Sequence, residues 1–322
     1  MLPYYRTQVD LSMKQIQEAG GTINPAYTYL AKVSPASRRV QEKALSDIAD
    51  ILGYQSCFDA RWDSVTYEEA LIVREVLSSK YRTNTTNRYL SAFRNVLKES
   101  MIVGLIDHEK FIKLLEALKN FKGSGLKSGR HITDDEIRAM LETCLADPPT
   151  YANCRDFAII ALLYASGIRC AEACHINIGD VSQNGEIKIY GKGNKWRTIY
   201  VANTTLLGIT NWIDCINETT GNLSGPLFVR IKKSDKIVPD GRLTTSGITF
   251  ILQSRATQAG VGKITPHDFR RTFVGNALSA GVDVSTVAAI TGHSDLNTVK
   301  GYDLRPDTAK KAVAKNITLP IE

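Results

Sequence analysis

The sequence lacks the features of several large protein classes. Its longest strongly apolar run, FAIIALLYA, has nine residues, whereas a helix that spans a bilayer needs roughly 20. The N-terminal stretch MLPYYRTQVDLSMKQIQEAG has no apolar signal core, so we expect a cytoplasmic protein with no membrane partner. The six cysteines are scattered along 322 residues, unlike those of a small disulfide-rich secreted protein, and we expect them to be reduced.

The residue patterns of common metal and nucleophile sites are also missing. Cys170, Cys174 and His175 could share one helical face, but no second pair completes a tetrahedral metal site, so a structural role is favoured. The sequence shows no convincing carboxylate pair, no cysteine or serine nucleophile beside a base, and no phosphate-binding glycine loop. We therefore expect neither a metal nor a cofactor.

Positive charge is in moderate excess. The chain has 40 lysines and arginines against 33 aspartates and glutamates, a net charge of +7. This balance suits a polyanionic partner such as nucleic acid, although it does not require one. The length favours two domains, because a single core rarely grows much beyond about 250–300 residues.

The hydrophobic pattern divides the chain into two predicted domains. Residues 1–121 read as successive helices behind a short N-terminal extension. Residues 122–131 fall in FKGSGLKSGRH, which has the glycine, serine and basic composition of a linker. Thr133 and Glu136 then form a capping-box pattern that begins the second domain, residues 132–322.

One predicted helix of the first domain, TTNRYLSAFRNVLKES, is amphipathic. Tyr89, Phe93, Val96 and Leu97 form a stripe that faces a core. The opposite, basic stripe suits contact with a phosphate backbone or a groove, but the pattern alone equally allows a merely solvated face. This helix and the linker supply the candidate DNA-binding residues Arg88, Ser91, Arg94, Lys98, Lys122, Lys127 and Arg130.

The second domain is predicted to be mixed but mostly helical. FAIIALLYASGI reads as a buried helix that ends near Gly167, with another helix directly behind it. GEIKIYGKGNKWRTIYV alternates apolar and polar residues on both sides of GKGN, as a β-hairpin does, so Lys192 lies near a hairpin tip. The segments LFV and KIVPDGR predict short strands. The expected fold class is mainly α with a small β-sheet.

The stretch TPHDFRRTF predicts a helix start that carries charge. Thr265 suits the N-cap, Pro266 the first helical position and Asp268 the third. His267 and Arg270 are three residues apart and therefore neighbours on the helix surface. Taken alone, this pattern is better explained by a solvated basic turn with one histidine than by a binding site.

The unusual polar residues of the second domain together suit a phosphodiester. Arginine forks can bind nonbridging oxygens and stabilise the charge of a pentacoordinate transition state. A lysine can protonate an alkoxide leaving group, and a tyrosine hydroxyl can attack phosphorus. The residues in question are Arg169, Lys192, His267, Arg270, His293 and Tyr302.

Five motifs in order, ASGIRCAE, GKGNKWR, HDFRRTF, GHSD and GY, resemble those of the tyrosine recombinases, the phage integrase and Xer-like family. SPASRRVQEKALSDIADIL and TNTTNRYLSAFRNVLKES are similar to the helical core-binding domain of that family. The resemblance implies an all-helical, SAM-like N-terminal domain and an α+β catalytic domain. Tyr302 would form a 3′-phosphotyrosyl bond, Arg169 and Arg270 would hold the scissile phosphate, and Lys192 would protonate the departing 5′-oxygen.

The resemblance also assigns supporting roles. His267 would assist proton transfer or hold the phosphate, His293 would hydrogen-bond a nonbridging oxygen, and Glu172 would support the site. Three assignments have rivals, which are Lys195 for Lys192, Arg271 for Arg270, and Tyr190 or Tyr200 for Tyr302.

For the whole protein, the resemblance implies recombination of double-stranded DNA at inverted core half-sites. Two protomers would bind each site and four would form a homotetramer that passes through a Holliday junction, with a C-terminal tail between protomers. Integration, excision or resolution of a mobile element would be its task, with or without an accessory DNA-bending or directionality factor. We expect no separate arm-type DNA-binding domain. The alternatives are a type IB topoisomerase-like enzyme and a catalytically idle DNA-binding regulator.

Overall fold

The computed structural model describes residues 24–122, 129–145, 148–191, 195–221, 223–293 and 295–300. The chain divides into two compact units, Met1–Lys127 and Ser128–Glu322, and each has a buried apolar core of its own. The division falls inside the predicted linker, while the finer domain limits stay predictions.

The described part of the first unit is helical, and three of its five helices begin at a capping side chain. The Asn24 side chain accepts the backbone N–H of Ala26 (2.9 Å), and Asp107 accepts that of Lys110 (2.7 Å). These bonds satisfy N–H groups that a helix start leaves without an intrahelical partner. The helices are α1 (Pro25–Lys32), α2 (Pro35–Ile51), α3 (Tyr67–Lys80), α4 (Thr83–Ile102) and α5 (His108–Ala117).

Helix α4 forms the centre of the first core. The stripe predicted to be buried, Tyr89, Phe93, Val96 and Leu97, is at most 5% exposed, which confirms that prediction. The Phe93 ring lies edge-on to Trp62, with ring centroids 5.8 Å apart, a favourable aromatic arrangement. The opposite stripe of α4 is thereby turned away from this core.

The described part of the second unit is mostly helical, with two short antiparallel hairpins, which confirms the predicted fold class. No helix in the described ranges is long and apolar enough to cross a bilayer. The elements are α6 (Asp134–Glu142), α7 (Tyr151–Ser166), α8 (Cys170–His175), β1 (Glu186–Gly191), β2 (Lys195–Tyr200), α9 (Asn203–Thr220), β3 (Val229–Ile231), β4 (Ile237–Arg242), α10 (Thr245–Gln258), α11 (Pro266–Ser279), α12 (Val284–Thr291) and α13 (Leu296–Lys300).

The predicted buried helix is α7, and its end sets the position of α11. It stops at Gly167, whose φ of +59° is left-handed, a conformation that glycine adopts without strain. A Cβ atom at Gly167 would lie 2.6 Å from the Phe273 ring on α11. The glycine therefore allows α11 to pack closely against the junction between α7 and α8.

The predicted hairpin is formed by β1 and β2. The strands pair from Glu186 opposite Tyr200 to Gly191 opposite Lys195, and the turn at 192–194 lies outside the described residues. The inner face carries isoleucines at 187, 189 and 199, each at most 1% exposed. This face packs on the second core, which fixes the hairpin beside α8.

Buried charges fasten α7 to α10. Arg155 donates two hydrogen bonds to one oxygen of Asp156 (3.0 and 2.7 Å), and Arg255 donates to the other (2.9 Å). Arg255 also donates to the Asn153 side chain (2.8 Å). Both cations are paired, which offsets much of the penalty for burying charge.

Candidate active site

Helix α11 begins as the sequence predicts. Asp268 accepts hydrogen bonds from the backbone N–H and the hydroxyl of Thr265, both at 2.7 Å, and Pro266 occupies the first helical position. This capped start fixes the first turn of the helix. His267 and Arg270 are therefore held on adjacent turns of one helix face.

Arg270 is 3% exposed, and its guanidinium is held from two sides. Nη1 donates to the carbonyl oxygen of Gly167 (3.0 Å), and Nη2 lies 2.8 Å from Nε2 of His293. Helix α11 thus joins the end of α7 to the segment that follows α12.

Arg169 lies at the start of α8, beside the same segment. Nη2 donates to the carbonyl oxygen of Gly292 (3.0 Å), and Nη1 donates to Glu172 Oε1 (3.0 Å). The Arg169 side chain is 37% exposed, whereas that of Glu172 is 5% exposed. A ligand can therefore reach Arg169, while a buried carboxylate orients it.

A third arginine, which sequence reasoning did not select as a site residue, completes the group. Arg197 donates Nη1 and Nη2 to the two oxygens of Glu172 (3.0 and 2.7 Å). Burial acts to raise the pKa of Glu172, but the hydrogen bonds and charges of Arg197 and Arg169 outweigh it and leave that pKa below its usual value. Glu172 is thus a buried anion between two arginines.

His293 is neutral, and its tautomer follows from its partners. An arginine N–H can only donate, so Nε2 of His293 accepts from Arg270. Nδ1 lies 2.7 Å from the hydroxyl of Thr291, which donates to the Val287 carbonyl at 2.6 Å, so Nδ1 carries the proton. Burial and the charges of Arg270 and Arg169 lower the pKa of His293 to about 4.

His267 is exposed at the start of the same helix, although neighbouring atoms still cover part of its ring. This partial desolvation lowers its pKa, and the charges of Arg270 and Arg271 add to that effect, while Asp268 opposes it. His267 is therefore mainly neutral at pH 7. A bound anion would raise the pKa of His267 and of His293, because it would stabilise their protonated forms.

Two predicted site residues lie outside the described residues. Lys192 directly follows Gly191, the last residue of β1, and Tyr302 lies beyond α13. Their assigned roles stay predictions. Lys195, the rival of Lys192, is exposed at the start of β2.

The basic stripe of α4 is partly used to hold the chain that follows α5. Asn87 donates to the Phe121 carbonyl (3.1 Å) and accepts the Phe121 N–H (2.9 Å). Arg94 donates to the carbonyl of Leu118 and to Asn120 Oδ1 (3.0 Å). Arg94 therefore has a structural task in the first unit, and a DNA contact by it stays a prediction.

Among the remaining candidate DNA-binding residues, one is bonded to the second unit's own residues, one lies outside the described residues and four are exposed. Arg130 forms an ion pair with Glu136 (2.7 Å), and its backbone N–H donates to Asp268 (2.8 Å), which ties it to the start of α11. Lys127 lies outside the described residues. The exposed candidates are Arg88, Ser91, Lys98 and Lys122.

The two thiols and the imidazole of α8 are Cys170, Cys174 and His175. Among the described residues, no group of three or more histidine, cysteine, aspartate and glutamate side chains is arranged to hold a metal ion. Nδ1 of His175 instead lies 2.6 Å from the carbonyl oxygen of Ala171 on the same helix.

The site as described suits an anion with several oxygen atoms. Three guanidinium groups, those of Arg169, Arg197 and Arg270, accompany the single carboxylate of Glu172. The excess positive charge lies beside a partly exposed arginine whose planar fork can bind two oxygens at once. A phosphodiester carries one negative charge and two nonbridging oxygens, which matches this arrangement.

Known proteins are similar to this chain in sequence. The tyrosine recombinase XerC of Alcanivorax borkumensis is 28% identical over 295 residues, which are 87% of this chain and 88% of that protein. XerC of Staphylococcus carnosus is 27% identical over 285 residues, 87% of this chain and 91% of that protein. Both alignments extend across the two units.

Solved structures share the fold. The Tn1549 transposon integrase in complex with transposon right end DNA has a TM-score of 0.65 at 16% identity, over 95% of this chain and 98% of that one. A lambda integrase dimer bound to a COC′ core site has a TM-score of 0.61 at 13% identity, over 90% and 93%. Residues 130–306, more than half of the 322, match the phage integrase family. The chain therefore belongs to this family of tyrosine recombinases, which are DNA strand-transferases.

Proposed function

We propose that the protein is a site-specific recombinase that cleaves and rejoins double-stranded DNA through a 3′-phosphotyrosyl bond to Tyr302. The observation that carries this proposal is the meeting of Arg169, Arg270 and His293 at the segment after α12. Their meeting brings two phosphate-binding arginines and an imidazole from three separate elements to one place.

In the proposed reaction, the Tyr302 hydroxyl gives up its proton, to His267 or to water, as its oxygen attacks phosphorus and the bond from phosphorus to the 5′-oxygen breaks. Arg169 and Arg270 bind the nonbridging oxygens and stabilise the charge that grows on them. Lys192 gives its proton to the departing 5′-oxygen. Because the phosphotyrosyl bond conserves the energy of the phosphodiester, rejoining needs no nucleotide cofactor.

His293 must change its protonation and His267 has a supporting role when phosphate binds in the proposed reaction. In the described structure Nε2 of His293 accepts from Arg270, so it cannot donate to a phosphate oxygen in that state. Donation to the phosphate requires Nε2 of His293 to leave Arg270 and to carry a proton. The proton is either gained or moved from Nδ1 to Nε2 as the Thr291 hydroxyl turns. His267 assists proton transfer or holds the phosphate from the first turn of α11.

The proposed assembly is a dimer on inverted core half-sites and a tetramer that exchanges strands through a Holliday junction. Among proteins of similar fold are a lambda integrase dimer on a core site and a lambda integrase tetramer on a Holliday junction. We assign the C-terminal tail to contacts between protomers. Integration, excision or resolution of a mobile element, at the nucleoid of the cytoplasm, is the proposed task, and an accessory bending or directionality factor is compatible with it.

The exposed basic residues of the first unit are the proposed sequence-independent contacts. Arg88, Lys98 and Lys122 offer cations to phosphates, and Ser91 offers a hydroxyl on the same helix face as Lys98. Each lost phosphate contact should weaken DNA binding by a similar factor on all sequences and reduce its dependence on salt.

The test of the proposed function is a covalent bond between protein and DNA. Wild type and Tyr302→Phe are incubated in EDTA with a supercoiled plasmid that carries the DNA flanking the gene, and products are separated on a denaturing gel. We expect a covalent adduct with wild type and none with Tyr302→Phe. The mapped position of the adduct then identifies the crossover site.

Other outcomes would point to the alternatives. Specific binding without any adduct would favour an idle DNA-binding regulator. Relaxation of plasmids that lack a preferred site would favour a topoisomerase-like enzyme. An adduct that persists in Tyr302→Phe would contradict the choice of nucleophile.

Tryptophan fluorescence should report DNA at the hairpin. Of the three tryptophans, Trp62 and Trp212 are 0% exposed and Trp196 is 61% exposed. Trp196 is the second residue of β2, next to the turn that carries Lys192, so DNA that Lys192 reaches should cover Trp196. We expect bound DNA to abolish most quenching by acrylamide, with Trp196→Phe as the control. Equal quenching with and without DNA would contradict this placement.

A further inference from the structure

Arg197 is a charged residue that lies beside buried isoleucines on the inner face of β2. It lies opposite Ile189 across the hairpin, and it shares the inner face of β2 with Ile199, because residues two apart in a strand point the same way. Its side chain is 16% exposed. A cation at such a position is destabilising unless it is well paired.

The pairing of Arg197 joins three elements of the site. Both terminal nitrogens donate to Glu172 on α8, and Nε donates to the carbonyl oxygen of Ile290 near the end of α12 (2.8 Å). All three bonds use the planar geometry of the guanidinium group, which a lysine ammonium cannot reproduce.

Two glycines are fitted around this guanidinium. A Cβ at Gly292 would lie 3.1 Å from Cζ of Arg197, and a Cβ at Gly191 would lie 3.1 Å from its Nη1. Gly292 immediately precedes His293, and Gly191 immediately precedes Lys192. Arg197 therefore contacts the residue before each of these two site residues, and it binds the carboxylate that orients Arg169.

We propose that Arg197 is a positioning residue for DNA cleavage: it holds the Glu172 carboxylate in place and fixes α8, the hairpin and the end of α12 relative to one another. This inference rests on the proposed cleavage reaction. Arg197 acts through Glu172 and the backbone, and no contact with DNA is assigned to it.

Loss of Arg197 should change how the rate of DNA cleavage depends on pH. The charged and titratable groups that act on Glu172 are Arg169 beside it, Arg197 from β2 and His293 beyond α12. Without Arg197, burial remains while the strongest opposing contribution is lost, so the pKa of Glu172 rises. As the pH falls through that raised pKa, Glu172 becomes neutral and releases Arg169, and cleavage slows.

The experiment measures single-turnover cleavage of a DNA substrate that traps the adduct, from pH 5.5 to 8.5. We expect Arg197→Met to cleave about 10–100-fold more slowly than wild type, the range for loss of a hydrogen-bonded supporting group. Its deficit should grow as the pH falls, with little change in DNA affinity. In Glu172→Gln, which cannot ionise, adding Arg197→Met should give no such growth.

Arg242→Met is the matched control. Arg242 also fastens the end of α8, through the carbonyl of Cys174 (2.8 Å) and Asn177 Oδ1 (2.6 Å), without touching Glu172. It should lower the melting temperature without an acid-dependent loss of rate. If Arg197→Met does not fold, Arg197→Lys is used, and a smaller deficit that again grows at low pH is expected.

Two results would overturn the inference while wild type still cleaves. One is a cleavage rate for Arg197→Met that depends on pH in the same way as that of wild type. The other is acid dependence that persists in the Glu172→Gln background. Failure of wild type itself to form an adduct would instead count against the proposed function.

Discussion

Arg270→Lys is expected to lower the single-turnover rate of DNA cleavage by about 10²–10³-fold, the usual effect of removing a donor that stabilises transition-state charge. The native guanidinium donates to the Gly167 carbonyl and to Nε2 of His293, and in the proposed reaction its planar fork also binds the phosphate. A lysine keeps the charge but lacks the planar fork. The rate is measured on a substrate that traps the covalent adduct.

The neighbouring arginine supplies the control for this variant. Arg271→Lys makes the same change one residue further along α11, off the face that His267 and Arg270 share. It should cleave within a few-fold of wild type. A larger loss for Arg271→Lys than for Arg270→Lys would contradict the assignment. Because Arg270 is 3% exposed, its replacement can also destabilise the fold, so the melting temperature of each variant is measured to separate a catalytic defect from unfolding.

Lys192→Ala is expected to slow cleavage by about 10²–10⁴-fold, the range for general acid catalysis. The loss should be largely recovered on a substrate whose scissile 5′-oxygen is replaced by sulfur. A thiol has a pKa near 8.5, far below that of an alcohol, so a thiolate leaves without a proton. The two substrates are compared at one pH for each variant.

The pattern of recovery distinguishes acid catalysis from phosphate binding. Arg270→Lys should remain slow on the sulfur substrate, because its defect lies in binding the nonbridging oxygens. Lys195→Ala tests the rival lysine at the start of β2. If the cleavage rate of Lys195→Ala recovers on the sulfur substrate while that of Lys192→Ala stays low, Lys195 and not Lys192 is the general acid.

The sequence predicted the local structure around the site well. The start of α11 could be predicted from Thr265, Pro266 and Asp268, because helix capping depends only on residues within one turn. The hairpin, too, followed from short-range alternation. Both patterns rest on residues close together in the chain, and the structure confirms both.

Long-range pairing explains what the sequence did not reveal. Arg197 could be suspected from its place on an apolar strand face, but its partner Glu172 is 25 positions away. Arg94 was assigned to a basic DNA-facing stripe, whereas it also holds the segment after α5. Helical periodicity separates a buried face from the opposite one, but it cannot show which chain segment folds back onto that opposite face.

The role of Tyr302 as nucleophile is tested by identifying the residue that is bonded to DNA. The adduct formed by wild type is trapped, digested with trypsin and nuclease, and its nucleotide-bearing peptide is sequenced by mass spectrometry. We expect a 3′-linked nucleotide on Tyr302. A nucleotide on Tyr190, Tyr200 or any other residue would contradict it.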